Sequence, residues 1–191
     1  MTAEDDRGDA HGSQAGVALG GVAAIVLVPL ATVAVSVTSG GQPVTVYELH
    51  CDHQKWRTVH APEGRYDLDH VRPGPMECLA TSDSGEARGE LDVTAGAAEL
   101  TLALTPWASI AGTAVDSAGR PVVSARGLLE DSRSGYREAF SDSSGHFAFA
   151  QVTSGDSVVL LFSPMGEAMR MQVTLNAGEH VDLGPVRLVG L

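Results

Sequence analysis

The sequence predicts an all-β chain built as tandem seven-stranded Greek-key-type β-sandwiches, and three observations carry that prediction. The first is Ser143-Ser-Gly-His-Phe-Ala-Phe-Ala-Gln-Val-Thr-Ser-Gly155, where Phe147 and Phe149 alternate with small or polar neighbours between two glycine turns. Period-two alternation bounded by turn residues describes a half-buried strand of an antiparallel sheet. The second is its recurrence: Gly64, Tyr66, Leu68, Val71 and Gly74 match Gly145, Phe147, Phe149, Val152 and Gly155 at a constant separation of 81 residues. The third is composition, with 22 glycines, 5% aromatic residues and abundant Val, Thr, Ser and Ala in 191 residues, the usage of β-rich domains with many turns. A repeat of this length divides the chain into two units of roughly 80 residues. Each has a modest core that a crosslink would help.

Residues 1–14 are acidic and poor in apolar side chains, the composition of a disordered tail. Residues 15–37 carry no charge and meet the length of a membrane-spanning helix. Against that reading, Glu4, Asp5, Asp6 and Asp9 precede the run where a basic flank belongs, and Gly16, Gly20, Gly21 and Pro29 interrupt it. The run also echoes other β segments: 17–22 resembles 181–186, and 28–33 resembles 105–110. On the β reading, residues 15–30 close a truncated upstream repeat and the natural chain starts further upstream. The transmembrane reading stays open beside it, and membrane association follows only if 15–37 is a helix.

Unit one is expected over 31–105. Its opening strand leads into Thr38-Ser-Gly-Gly-Gln-Pro-Val44, which matches Asp116-Ser-Ala-Gly-Arg-Pro-Val122 in unit two. Gly41 and Gly119 suit a positive-φ turn, and Pro43 and Pro121 set the entry to the next strand. Strand 44–51, a polar loop with His53, Trp56 and His60, strands 64–71 and 76–80, a turn at Gly85, and strands 91–93 and 100–104 follow. Unit two is expected over 106–191, with strands at 109–115, 124–129, 137–141, 146–152, 157–162, 169–175 and 181–188. Seven short strands at this spacing predict a sandwich, and no segment carries helix start and stop signals.

The opening of unit two, Ile110-Ala-Gly-Thr-Ala-Val-Asp-Ser-Ala-Gly-Arg-Pro-Val-Val-Ser-Ala125, is followed by Ser141-Asp-Ser-Ser-Gly-His-Phe-Ala-Phe149 and Val152-Thr-Ser-Gly155. Together these closely resemble the carboxypeptidase regulatory-like domain, a transthyretin-related β-sandwich. Unit one is a degenerate version that lacks the opening Asp and has Pro62-Glu-Gly64 in place of the Asp-containing turn. The resemblance implies a fold and no activity, since such modules are non-catalytic and are appended to peptidases, transporters or surface proteins. Some related surface domains carry an internal Lys–Asn isopeptide bond. Here Lys55 and Asn176 are the only lysine and asparagine and fall in different units, which discounts one.

The formal net charge of −12 disfavours nucleic acid and anionic lipid as partners. Cys51 and Cys78, the only cysteines, fall on two expected strands of unit one. They are read as a disulfide of a protein outside the cytosol, with two buried thiols as the alternative. His50, Cys51 and His53 have metal-ligand chemistry, but strand neighbours face opposite sides and no fourth ligand follows, so no metal or cofactor is assigned. His60-Ala-Pro-Glu63 matches an H-x-x-E zinc pair only by coincidence, because the large catalytic domain such a pair serves has no room in this length. Neither a nucleophile elbow nor a phosphate loop occurs. The acidic turns at Asp83 and Asp142 lack the carboxylate density of a calcium loop.

These readings converge on a non-enzymatic envelope or secreted protein acting as a spacer or protein-interaction module. The alternative is a carbohydrate- or peptide-binding module using the Trp56 loop, with His53 and His60 beside it. Trp107 is assigned to the junction of the two units and Tyr136 is a weaker stacking candidate.

Overall fold

The computed structural model describes residues 2–4, 10–13, 27–52, 54–131 and 136–189. Every regular element among them is a β-strand. The chain forms two compact units, Met1–Leu104 and Thr105–Leu191.

In unit one the strands are β1 (Ala31–Ser39), β2 (Val46–Cys51), β3 (Arg57–His60), β4 (Arg65–Val71), β5 (Gly74–Ser82), β6 (Gly85–Val93) and β7 (Ala97–Ala103). β1 lies between β4, which is antiparallel to it, and β7, which is parallel. The second sheet runs β3-β2-β5-β6, all antiparallel. Alternation decides what is buried: in β2, Tyr47, Leu49 and Cys51 face the core while Val46, Glu48 and His50 face away.

Unit two repeats this order with β8 (Ala108–Val115), β9 (Arg126–Glu130), β10 (Tyr136–Phe140), β11 (His146–Val152), β12 (Gly155–Phe162), β13 (Ala168–Leu175) and β14 (His180–Arg187). β8 lies between antiparallel β11 and parallel β14, and the second sheet runs β10-β9-β12-β13. The observed strands of unit two begin and end within two residues of the sequence expectation. Each unit has its own core: Tyr47, Leu49 and Leu102 are among the largest fully buried side chains in the first, and Phe147, Ile110, Leu129 and Leu161 in the second.

Local geometry recurs at matching positions. The Val37 N–H donates to the Gly64 carbonyl at 2.9 Å, and the Ala114 N–H donates to that of Gly145 at 2.8 Å. His70 and Gln151 both adopt positive φ, 59° and 53°. Each marks an irregularity in the pairing with the central strand, which brings Val71 and Val152 back to the core.

Several expectations are corrected. Within the expected polar loop, Arg57–His60 forms β3, held by pairing with β2 although Val59 is its only apolar residue. The expected strand 91–93 is the end of a nine-residue strand, β6. Residues 1–14 are not wholly irregular: Thr2–Glu4 pairs with Ala10–Ser13, and Ala10 and His11 pair with Pro29 and Val28. Backbone pairing needs no apolar side chain, which is why composition did not signal it. Of the 15–37 run, residues 15–26 lie outside the described residues, and 31–37 belong to β1. The apolar character of 31–37 reflects a central strand with Val33, Val35 and Val37 fully buried. No helix among the described residues is long and apolar enough to cross a membrane.

Candidate functional site

Cys51 on β2 and Cys78 on β5 are direct cross-strand partners. The Asp52 N–H donates to the Glu77 carbonyl at 2.9 Å, so the cysteines occupy a non-hydrogen-bonded pair, where antiparallel strands approach most closely. They form a disulfide with Cα atoms 4.1 Å apart, and both residues are fully buried. The bond ties together two neighbouring strands in the interior of the second sheet.

On the opposite face of β2, one residue back, His50 stacks against Trp56 with ring centroids 4.9 Å apart and planes 13° from parallel. The strand's two-sidedness thus separates the buried sulfur from the imidazole. Trp56 is 53% exposed, and His50 Nδ1 is buried without a hydrogen-bond partner among the described residues. One indole face is therefore backed by a ring, and the side chain reaches solvent. Arg57, the next residue, turns the other way. It donates to the Tyr66 hydroxyl at 2.5 Å and to Gln54 Oε1 at 3.1 Å, and its guanidinium lies 5.4 Å from the Tyr66 ring centre. These contacts hold the loop onto β4. A cleft of about 240 Å³ opens beside the same loop, lined by Asp52, Gln54, His70, Arg72 and Pro75.

The other sequence candidates do not join this cluster. His60 is exposed at the far end of β3, opposite Val46, on the order of 13 Å from Trp56 at strand rise. His53 lies outside the described residues. Lys55 is exposed, Trp107 is half-buried, and Tyr136 is 63% exposed on β10. Among the described residues no three His, Cys, Asp or Glu side chains gather to hold a metal ion. The Asp142 carboxylate is engaged within its own turn, accepting from the Ser144 N–H and hydroxyl at 2.8 and 2.6 Å and from the His146 N–H at 3.0 Å. In the sequence His50 reads only as a candidate metal ligand. Its place on the outward side of β2, near an aromatic loop, was the available signal for a stacking role.

No protein-family model matches the chain, and no curated protein matches it. Among solved structures, the chain is similar to GBS52, the minor pilin of Streptococcus agalactiae, at 12% identity and a TM-score of 0.52, covering 84% of this chain and 97% of that one. A streptococcal ancillary pilin matches at 9% identity and a TM-score of 0.47, covering 83% and 71% of the two chains. BcpA, the major pilin subunit of Bacillus cereus, matches at 8% identity and a TM-score of 0.37, covering 83% and 99%. At 12% identity the likeness to the minor pilin is one of fold: an all-β architecture compatible with a transthyretin-related sandwich.

Proposed function

We propose that this protein is a non-catalytic module of the bacterial cell envelope or exterior, made of two copies of one regulatory-like sandwich, the first degenerate, and acting as a structural spacer or protein-interaction module. The Cys51–Cys78 disulfide carries the reading, because a fully buried cross-strand bond persists in oxidising compartments. The shared strand order of the units and the fold likeness to a minor pilin support it. The test is protease shaving of intact producing cells, combined with thiol labelling of the extracted protein without reductant. The reading expects cleavage on intact cells and no labelled thiol. Protection until lysis together with two labelled thiols would overturn it.

A second reading rests on Trp56, whose indole is backed by His50 and open to solvent. Such a platform suits the apolar face of a sugar ring or a peptide side chain. It predicts reproducible binding on a glycan or peptide array that Trp56→Ala abolishes. Binding that survives this substitution would remove the reading.

A further inference from the structure

The outward face of the second sheet differs between the units in a way the shared strand order does not require. In unit one the cross-strand row Thr58–Glu48–Thr81–Glu86 is polar. The corresponding row in unit two is Phe140–Arg126–Phe162–Ala168. Phe140 is 59% exposed and Phe162 38% exposed. In the adjoining row, Leu128 and Leu160 are half-buried cross-strand partners at the centre, with Glu138 on one edge strand and Arg170 on the other. Phe140 and Phe162 flank Arg126, which pairs with Glu138, and with the neighbouring Leu pair they expose apolar surface of the kind that marks a contact surface.

The charges identify the occupant. If two copies pack face to face about a two-fold axis parallel to the strands, β10 of each lies over β13 of the other and β9 over β12. Arg170 of one copy then faces Glu138 of the other, which already pairs with Arg126 of its own chain, twice, with Leu128 over Leu160 between them, and the Arg126–Glu138 pair lies beside Phe162. A two-fold axis perpendicular to the strands would instead set Glu138 on Glu138 and Arg170 on Arg170, which like-charge repulsion disfavours. The allowed arrangement also brings Tyr136, at the open end of β10, over Gln172. That residue lines a depression of about 480 Å³ together with Glu130, Val158 and Arg170. The face is thus self-complementary in charge and in relief.

We infer that the outer face of the β10-β9-β12-β13 sheet is an isologous interface for a second copy of this chain. Four strands about 4.8 Å apart and about 17 Å long make a small interface, so association is weak and depends on concentration.

Sedimentation velocity of the full chain over a concentration series tests this, with circular dichroism confirming that each variant is folded. The expected result is a monomer–dimer equilibrium that Phe140→Thr with Phe162→Thr, the residues of unit one, weakens at least about tenfold. Arg170→Glu weakens it as well, whereas Arg170→Lys, which keeps the charge, does not. A monomer at every concentration overturns the proposal and leaves the face to a foreign partner. A dimer indifferent to the Phe substitutions, or to Arg170→Glu, also overturns it.

Discussion

A methyl group added at Gly145 would lie 2.6 Å from the Ala114 carbonyl oxygen with φ at +79°, and one at Gly64 would lie 2.7 Å from the Val37 carbonyl with φ at +67°. Both backbone conformation and space demand glycine there. Gly145→Ala should therefore cost at least about 2 kcal/mol in urea unfolding. Gln151 gives the opposite sign. Its side chain is exposed and its φ is +53°, so Gln151→Gly relieves the left-handed strain and should leave stability unchanged or raise it by about 0.5 kcal/mol, unlike glycine elsewhere in a strand. A melting temperature that falls clearly would contradict this. Ionisation separates the units as well. The Arg120 N–H first of all, and then its side chain and the Ala118 N–H, hold the Asp116 carboxyl below the usual range. The Ser144 hydroxyl and N–H, with the His146 N–H, do the same for Asp142. A depressed carboxyl contributes stability above pH about 4 that is lost as the pH falls through its folded value. Acid should loosen these two turns of unit two, and Asp142→Ala should flatten that acid limb in a pH series of melts. Tyr47 works at the other end. Burial foremost, and then the neighbouring Tyr66, raises its pKa to about 12. Its contribution is complete below pH 10 and lost as the pH rises to about 12, a loss that Tyr47→Phe should remove.

Among the elements, β2 and β5 depend most on one covalent link. The disulfide closes a sequence separation of 27 residues, a loop whose closure stabilises by about 3–4 kcal/mol in the chain-entropy account. Cys51→Ser with Cys78→Ser should lower the stability of unit one by that amount in guanidinium unfolding. An unchanged midpoint would contradict the role given to the bond. The elements legible in the sequence were those whose own residues alternate: Phe147, Phe149 and Val152 in β11 identified their strand without help. β3 was hidden because its fold information is tertiary. Val59 alone points into the core, and pairing with β2 supplies the rest. β1 was expected as the opening strand of unit one and is one, although a buried central strand and a membrane-spanning helix both read as an apolar run.

At the scale of the molecule, the same seven-strand order supports two different surfaces. Where β8 has Gly112, the Phe147 ring packs so closely that an added methyl would meet it at 2.8 Å. β1 has Val35 at the matching place, and Tyr66 sits half-buried there with its hydroxyl turned to Arg57. The glycine turns and the alternating inward residues could be read directly because core packing constrains them to a pattern. Outward residues obey no such period. The stacking of Trp56 on His50 and the apolar rows of the β9–β12 face emerge only when cross-strand neighbours far apart in sequence are brought together. The account stands on two separately packed interiors of one plan. Amide hydrogen exchange on the whole chain, comparing the native protein with the Cys51→Ser, Cys78→Ser variant, tests that most directly. It predicts faster exchange throughout β2 and β5 while β9 and β12 keep their native protection. Equal acceleration in both sets of strands would show a single cooperative interior and contradict it.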